Sequence, residues 1–306
     1  MFRFFLNFFS LSSKFPKRTD FYRFTLSIFM ELTQKLILEI IKQIKQNKKY
    51  NSISDSVIER EIEIYSKKNQ LNTNKETIKQ IRANLHKSYS SFQTRKKLKS
   101  SKLLGELQEN IENKSSLNNI SNELLSLTLS TKERIDDYPK IYKNIFMEIK
   151  NPRTILDLGS GLNPVSVLLT DLKNINYYSY DIDEKDSEFL NQFFGIIKSL
   201  GVNGKSSILD LRDFESVSKL PEADLIFLFK VLDVLDKENH KISEELIKIL
   251  IQKSKLIIVS FATTTITRKK MNFPKRKWFE LMLERLNIKY NSFQTENEIF
   301  YILKSI

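Results

Sequence analysis

Apolar residues follow two different periodicities along this chain. In the first part they recur at helical spacing, as in "MELTQKLILEIIKQIKQ", where Leu36, Ile40 and Ile44 fall along one side of a helix. After about residue 150, short apolar runs alternate with amphipathic stretches. The pattern predicts a small helical domain over residues 30–130 and an α/β domain over residues 131–306.

Seven strands are predicted in the second part, and helical stretches separate the first six. The strands are TILDL (154–158), NYYSYD (176–181), SSILDL (206–211), DLIFLF (224–229), KLIIVSF (255–261), KYNSFQ (289–294) and EIFYILK (298–304). The helical stretches lie near 165–170, 186–199, 213–219, 240–253 and 275–287. The last two strands, separated only by "TEN", must form a hairpin. This order is typical of class I S-adenosylmethionine (SAM)-dependent methyltransferases. The predicted fold class is therefore α/β: a Rossmann-like seven-stranded sheet with a terminal antiparallel hairpin, preceded by a small all-α N-terminal domain.

Charge is unevenly distributed along the chain. Residues 1–100 carry 21 Lys and Arg against 8 Asp and Glu, whereas the remainder carries 29 of each. A basic region beside a neutral domain indicates a polyanion-binding module; a lysine-rich solubilising surface is the alternative. The absence of cysteine excludes disulfides, cysteine-ligated zinc and thiol nucleophiles.

The first 29 residues differ from the rest. They hold 9 of the 22 phenylalanines and show no clear secretory signal pattern, and no apolar run of the chain approaches the roughly 20 residues of a membrane span. Met30 then opens the first regular amphipathic helix. We interpret residues 1–29 as a non-native or disordered extension, with translation starting at Met30.

The turn "LDLGSGLNPVSV" follows the first predicted strand. Gly159 and Gly161 allow the backbone to pass close to a ligand at the carboxyl edge of the sheet. Pro164 stands where a dinucleotide site has its third glycine, and it removes an N–H that could face a phosphate. The turn is better matched to a ligand without phosphates, such as SAM, although a purely structural turn is the alternative.

Acidic residues end the next two predicted strands. Asp181 is placed to accept the ribose hydroxyl hydrogens of such a ligand. Asp210 is placed to accept from the adenine amino group, with Leu211 packing on the ring. For Asp183 and Asp213 we prefer capping of the helices that follow.

The segment after the fourth strand, "LIFLFKVLDVLDKEN", lacks the Asn/Asp-Pro-Pro-Tyr type of element that grips an exocyclic amine. A pyrimidine C5 methyltransferase needs a thiolate, which this chain cannot supply. Guanine N7 has an exposed lone pair and needs only alignment with the methyl–sulfur bond, which is catalysis by positioning. Lys230 is a candidate to orient guanine O6 or a phosphate; a surface lysine is the alternative reading.

From about residue 31 onward the chain resembles the aminoglycoside-resistance 16S ribosomal RNA (rRNA) methyltransferases, which modify a guanine N7 in the decoding site, and their relatives outside resistance. "IRANLHKSY", "STKERIDDYPKIYKNIF", "ILDLGSGLNPVSV" and "IVSFATTTITRKKM" carry the resemblance. Two residues depart from the family pattern in the last motif: Ala262 replaces a usual proline, and Thr264 a usual Lys or Arg.

The resemblance implies a SAM cofactor and a set of site residues. It assigns Arg134 to the SAM carboxylate, and we place Lys230 and Ser260 as positioning residues of the reaction. No metal is expected. The residues predicted to bind the cofactor are Arg134, Asp157, Gly159, Ser160, Gly161, Asp181, Ile182, Asp210 and Leu211.

Members of this family act on the assembled 30S subunit and dock through the helical domain, which agrees with the basic N-terminal region. We expect a cytoplasmic monomer that binds no membrane. An adenine-N1 rRNA methyltransferase, a non-catalytic SAM-fold assembly factor and a small-molecule methyltransferase are the alternatives. The predicted RNA-binding residues are Lys48, Lys49, Arg82, Lys87, Arg95, Lys96, Lys97, Lys99, Arg268, Lys269 and Lys270.

Overall fold

The structure is a computed structural model that describes residues 19–88, 100–236, 239–264 and 270–304, without the side chains of residues 19–29, 87 and 88. The predicted fold class is confirmed: a helical N-terminal region precedes a seven-stranded mixed sheet. Among the described residues, no helix is both long enough and apolar enough to cross a membrane.

The helices alternate with the strands after residue 150, as the pattern predicts. The α-helices are α1 (Thr19–Lys45), α2 (Asp55–Ser66), α3 (Lys75–Ser88), α4 (Ser100–Glu109), α5 (Lys114–Leu125), α6 (Leu129–Lys132), α7 (Tyr138–Glu148), α8 (Glu184–Ile197), α9 (Phe214–Ser218), α10 (Leu232–Leu235), α11 (Lys241–Ile251) and α12 (Lys277–Arg285). Short 3-10 helices cover Ile135–Asp137, Asn163–Leu169 and Lys198–Leu200.

The sheet has the order β3-β2-β1-β4-β5-β7-β6. Its strands are β1 (Thr154–Leu158), β2 (Ile175–Asp181), β3 (Val202–Ile208), β4 (Ala223–Phe229), β5 (Ser254–Ala262), β6 (Lys289–Gln294) and β7 (Glu298–Lys304). Strands β1 to β5 pair in parallel, whereas β7 pairs antiparallel with both β5 and β6. The strand order reverses between β1 and β4, which leaves a crevice at their carboxyl ends.

Both faces of the central strands are buried, because side chains alternate across a sheet. On one face Ile155 packs in a cluster with helices α5, α7 and α8. On the other face Leu156 packs in a cluster with helices α11 and α12. Burial on both faces explains why these strands are nearly continuous apolar runs rather than alternating ones.

A separate core holds the N-terminal helices together. Ile40, Ile44, Ile58 and Ile81 are buried in it, and they come from α1, α2 and α3. Helices α4 and α5 instead contribute to the core of the sheet. The change from one core to the other thus lies before α4, N-terminal to the boundary predicted at residue 130.

Strand β3 and helix α1 depart from their predicted bounds, and β3 begins at Val202 rather than at Ser206. Strand β3 ends at Ile208, before the predicted end at Leu211, because Asp210 closes a tight turn in which its carbonyl accepts from Asp213 N. Helix α1 begins upstream of Met30, within the segment interpreted as an extension. Residues 1–18 lie outside the described residues, and the start at Met30 stays a prediction.

The helical region docks against the carboxyl edge of the sheet, beside the end of β2. Ile53 forms an isolated antiparallel bridge with Asp183. Ser54 N donates to the carbonyl of Ile182 (3.0 Å), and Ser52 Oγ donates to Asp183 Oδ2 (3.0 Å). The backbone that follows β2 therefore bonds to the helical region as well as continuing from the sheet.

Gly204 in β3 tests the packing of α8 on the sheet. A Cβ atom at this position would lie 1.9 Å from Cδ1 of Phe194, which is buried, so Gly204→Ala forces the ring to move. We expect a loss of about 1–3 kcal/mol in the free energy of unfolding, measured by urea denaturation. Gly105→Ala, in the exposed face of α4 with open space around it, should instead gain about 0.5–1 kcal/mol. Equal effects of the two substitutions would contradict this packing.

Candidate active site

A cavity opens at the carboxyl ends of β1, β2 and β4, where the strand order reverses. Its wall combines the glycine turn after β1, the end of β2, the loop after β3 and the segment after β4. Residues that line it include Thr128, Ser130, Arg134, Gly159, Ser160, Gly161, Asp181, Ile182, Asp210, Leu211, Arg212, Phe229, Lys230 and Val231. Most of the predicted cofactor-binding residues therefore lie together.

The glycine turn requires glycine for two separate reasons. Gly159 and Gly161 both have positive φ, +67° and +48°, a region that favours glycine. A Cβ atom on Gly159 would also lie 2.1 Å from Cγ2 of Val231. The turn is tied to β2, since Gly159 N and Ser160 N both donate to the carbonyl of Tyr180.

Asp181 is held against this turn by backbone donors. Gly161 N donates to its Oδ2 (2.8 Å), and Ile182 N donates to its Oδ1 (2.7 Å). Burial raises the pKa of Asp181 above its ordinary value, although these N–H groups oppose the rise. Its carboxylate lines the cavity in a fixed orientation, as a hydroxyl acceptor requires.

Asp210 also lines the cavity, but it already has partners. Arg212 donates to its carboxylate from the backbone N (2.9 Å), Nε (3.0 Å) and Nη2 (2.9 Å). Burial would raise the pKa of Asp210, but the hydrogen bonds and charge of Arg212 outweigh it and hold the pKa below its ordinary value. Asp183 and Asp213 cap α8 and α9, as predicted.

A buried charge network forms the opposite wall. Arg134, 2% exposed, donates from Nε to Glu298 Oε1 (2.5 Å), and its guanidinium lies 5.0 Å from the centre of the Phe229 ring. Lys230 Nζ lies 2.8 Å from Glu133 Oε2 and 3.1 Å from Glu298 Oε1. Burial would raise the pKa of Glu298, but the two cations outweigh it and lower that pKa. Glu298 therefore stays ionised beneath the cavity.

Comparisons with known proteins decide the family. The sequence model described as "Ribosomal RNA methyltransferase (FmrO)" matches residues 46–302. The chain belongs to the FmrO family. The resemblance found in the sequence is thereby confirmed.

Relatives of this FmrO-family chain share about a quarter of its residues. The 16S rRNA (guanine(1405)-N(7))-methyltransferase of Micromonospora rosea is 25% identical over 234 residues, which cover 74% of this chain and 82% of that protein. The enzyme of the same name from Proteus mirabilis is 25% identical over 205 residues, covering 63% of this chain and 70% of its own.

Solved structures agree in fold. The 16S rRNA methyltransferase RmtF in complex with S-adenosyl-L-homocysteine superposes with a TM-score of 0.70 at 21% identity, covering 88% of this chain and 98% of that one. The 16S rRNA methylase ArmA superposes with a TM-score of 0.50 at 27% identity, covering 68% and 98%. The FmrO-family chain thus has the class I methyltransferase fold.

Two predicted site residues of the FmrO-family chain do not reach the cavity. Asp157 is buried within β1, where its Oδ2 accepts from Asn163 Nδ2 (2.8 Å) and the Tyr177 hydroxyl (2.7 Å). Ser260, fully buried, donates to Glu298 Oε2 (2.6 Å) and accepts from Lys230 N. Neither side chain lines the cavity, and both instead support residues of its wall.

In the loop after β5, Arg276 connects several segments, and this role was not predicted from the sequence. Arg276 Nη2 donates to Asp233 Oδ2 (2.8 Å) and to the carbonyl of Ala262 (3.0 Å). Beside it, Trp278 stacks on His240 with ring centres 3.8 Å apart. Thr264 and Lys270 form a bridge, and residues 265–269 lie outside the described residues.

The predicted RNA-binding residues divide into three groups. Lys48, Lys49 and Lys270 are exposed. Arg82 is less available than predicted, because its Nη2 donates to the carbonyls of Gln43 and Ile44 at the end of α1. The remaining side chains lie outside the described residues: Lys87, Arg95, Lys96, Lys97, Lys99, Arg268 and Lys269.

Within the described residues, no group of three or more His, Asp and Glu side chains could hold a metal ion.

The buried Asp157 generates a pH prediction. Burial raises its pKa from 3.8 to about 6, so between these values the folded protein retains a proton that the unfolded chain releases. Stability therefore falls as pH rises through this window. Asp157→Asn keeps an oxygen for both hydrogen bonds and has no charge to desolvate. We expect wild type to lose about 1–3 kcal/mol relative to Asp157→Asn between pH 4 and 6, measured by urea unfolding. A flat difference would contradict the assignment.

Proposed function

We propose that this protein transfers the methyl group of SAM to N7 of a decoding-site guanine in 16S rRNA, within the 30S subunit. The observation that carries the proposal is the cavity in which the glycine turn, Asp181 and Asp210 converge at the sheet edge. Membership of an rRNA methyltransferase family supports the substrate class. The protein acts as a cytoplasmic monomer in this proposal.

The cavity residues fit SAM on their own chemistry. Asp181 holds the ribose, since its carboxylate is fixed by Gly161 N and faces the cavity. Leu211 packs on the adenine beside Asp210, and Arg134 binds the carboxylate of the methionine part. The glycine turn supplies the close backbone approach that a bound nucleoside needs.

The reaction needs no general base. Bound SAM supplies an electrophilic methyl group on a sulfonium, and guanine N7 offers a lone pair that carries no proton. Lys230 Nζ lies 3.1 Å from Glu298 Oε1, and Glu298 also pairs with Arg134. In this proposal Lys230, which lines the cavity, orients the base, and the buried Glu298 holds that lysine in place, which leaves catalysis to positioning.

RNA is recruited by the helical domain. A groove between the end of α1 and helix α3, here called the basic groove, is lined by cationic side chains. They are Lys49, Lys75, Lys79 and Arg82, and His86 lies beside them in the lining. Phosphates of rRNA are the natural partners of such a surface, and their contacts position the substrate without reading its sequence.

Asp181→Ala tests the cofactor site. We expect the affinity for S-adenosylhomocysteine to fall about tenfold to a hundredfold, because hydrogen bonds to a charged acceptor are lost. Isothermal titration measures it, and thermal melting checks that the variant is folded. Asp171→Ala, an exposed acid in the loop before β2, is the control and should bind like wild type. Unchanged binding in Asp181→Ala would refute the site.

The target atom is tested with 30S particles and labelled SAM, followed by primer extension across the 16S rRNA. The proposal expects label in RNA and a stop or cleavage at one decoding-site guanine after N7-specific treatment. Modification of an adenine at N1 would establish the adenine-N1 alternative. Binding of SAM without any transfer would favour the non-catalytic assembly factor.

The basic groove is tested by salt dependence. We expect the triple variant Lys49→Gln, Lys75→Gln, Lys79→Gln to bind 30S more weakly and to lower the slope of log affinity against log salt by about 2. The control variant Lys173→Gln, Lys205→Gln, Lys289→Gln removes the same charge from exposed positions of the methyltransferase domain. Equal slopes in the two variants would show that the groove does not bind RNA.

A further inference from the structure

Helix α2 of the helical domain contacts the cavity wall at the adenine end. Glu61, 4% exposed, accepts a hydrogen bond from Nη1 of Arg212. Arg60 Nη1 lies 3.5 Å from Asp210 Oδ2. Neither residue lines the cavity, but both contact residues that do. Charged side chains of the helical domain therefore lie behind Asp210, the proposed adenine acceptor.

The guanidinium of Arg212 donates hydrogen bonds to two acidic side chains. Its Nε and Nη2 face Asp210, and its Nη1 faces Glu61. A carboxylate offers about four acceptor positions, and the backbone N, Nε and Nη2 of Arg212 occupy three on Asp210. One position remains on Oδ2, and Arg60 Nη1 lies 3.5 Å from that oxygen.

Because these side chains are largely buried, the sharing of Arg212 between Glu61 and Asp210 depends on the charge of each acid. The side chains of Glu61, Asp210 and Arg212 are 6%, 10% and 18% exposed, so water screens their attraction only partly. Without a charge at residue 61, the ionised partner left to Arg212 in this network is Asp210. Arg212 already holds Asp210 through two parallel donors. Loss of the charge at residue 61 would leave Nη1 without its partner, and the guanidinium could then turn together with the carboxylate that it holds.

We propose that Glu61 is a positioning residue for adenine recognition. By holding Nη1 of Arg212 from the helical domain, it fixes the guanidinium and, through it, the orientation of the Asp210 carboxylate that accepts from the exocyclic amine of the cofactor. This rests on the proposed function, since it presumes that adenine binds against Asp210.

One consequence is a coupling between domain docking and cofactor binding. If the docked α2 helix raises affinity for the cofactor, then bound cofactor must stabilise that docking by the same factor. The same helical domain carries the basic groove. Cofactor binding would therefore order the domain that receives RNA.

The test measures selectivity for the amine, which a general loss of stability would not change. Isothermal titration compares S-adenosylhomocysteine with S-inosylhomocysteine, in which a carbonyl oxygen replaces the amine. The proteins are wild type, Glu61→Gln, Asp210→Asn and the double variant. Glu59→Gln, an exposed acid on the same helix, is the matched control. Thermal melts establish that each protein is folded at the titration temperature.

We expect wild type and Glu59→Gln to prefer the adenosyl compound by about tenfold or more. Glu61→Gln should lose about fivefold or more of that preference, and should change nothing further in the Asp210→Asn background. An undiminished preference in Glu61→Gln overturns the inference while leaving the cofactor site intact. If Glu61→Gln does not fold, wild type is compared with Asp210→Asn instead. An equal preference for the adenosyl compound in these two proteins also overturns the inference. Failure of wild type to bind either compound overturns both the inference and the proposed function.

Discussion

The carboxyl edge of the sheet depends on the ion pairs and hydrogen bonds that the buried side chain of Glu298 makes. The Glu298 carboxylate joins Arg134, from the segment before β1, to Lys230 after β4 and Ser260 in β5. Removing one partner of such a buried pair leaves an uncompensated charge, which costs about 3–5 kcal/mol. Lys230 also has positive φ, a conformation that the network holds in place. The cavity wall is rigid because its charges are mutually satisfied.

The helical domain extends this edge instead of standing apart from it. Its bridge at Ile53 fixes the backbone after β2, and Glu61 reaches the loop after β3. These contacts flank the two positions at which a nucleoside would meet the wall, Asp181 and Asp210. In the proposed function, a helical domain that receives RNA and also braces the cavity would leave the target base little freedom, and positioning is what an N7 transfer requires.

The fold and much of the cavity could be predicted, because both depend on local sequence. Buried strands are continuous apolar runs, and a glycine turn after β1 implies a ligand edge. The end of β3 was predicted too late, since Leu211 belongs to the apolar core on one face of the sheet and lines the cavity although it lies beyond the strand. Glu298 and Glu61 could not be found, because their arginine partners lie 164 and 151 residues away in sequence. Asp157 resembled Asp181 as an acid near a strand end, and only the geometry separates their roles.

Ala262, which departs from the family pattern that the sequence resembles, lies at the end of β5. A proline at residue 262 would fix the backbone through its ring, and Ala262 lacks that restraint. Here the carbonyl of Ala262 instead accepts from Arg276, which also pairs with Asp233 of helix α10. The guanidinium further lies 5.3 Å from the centre of the buried Phe261 ring. A side chain therefore ties the end of β5 to the segment after β4.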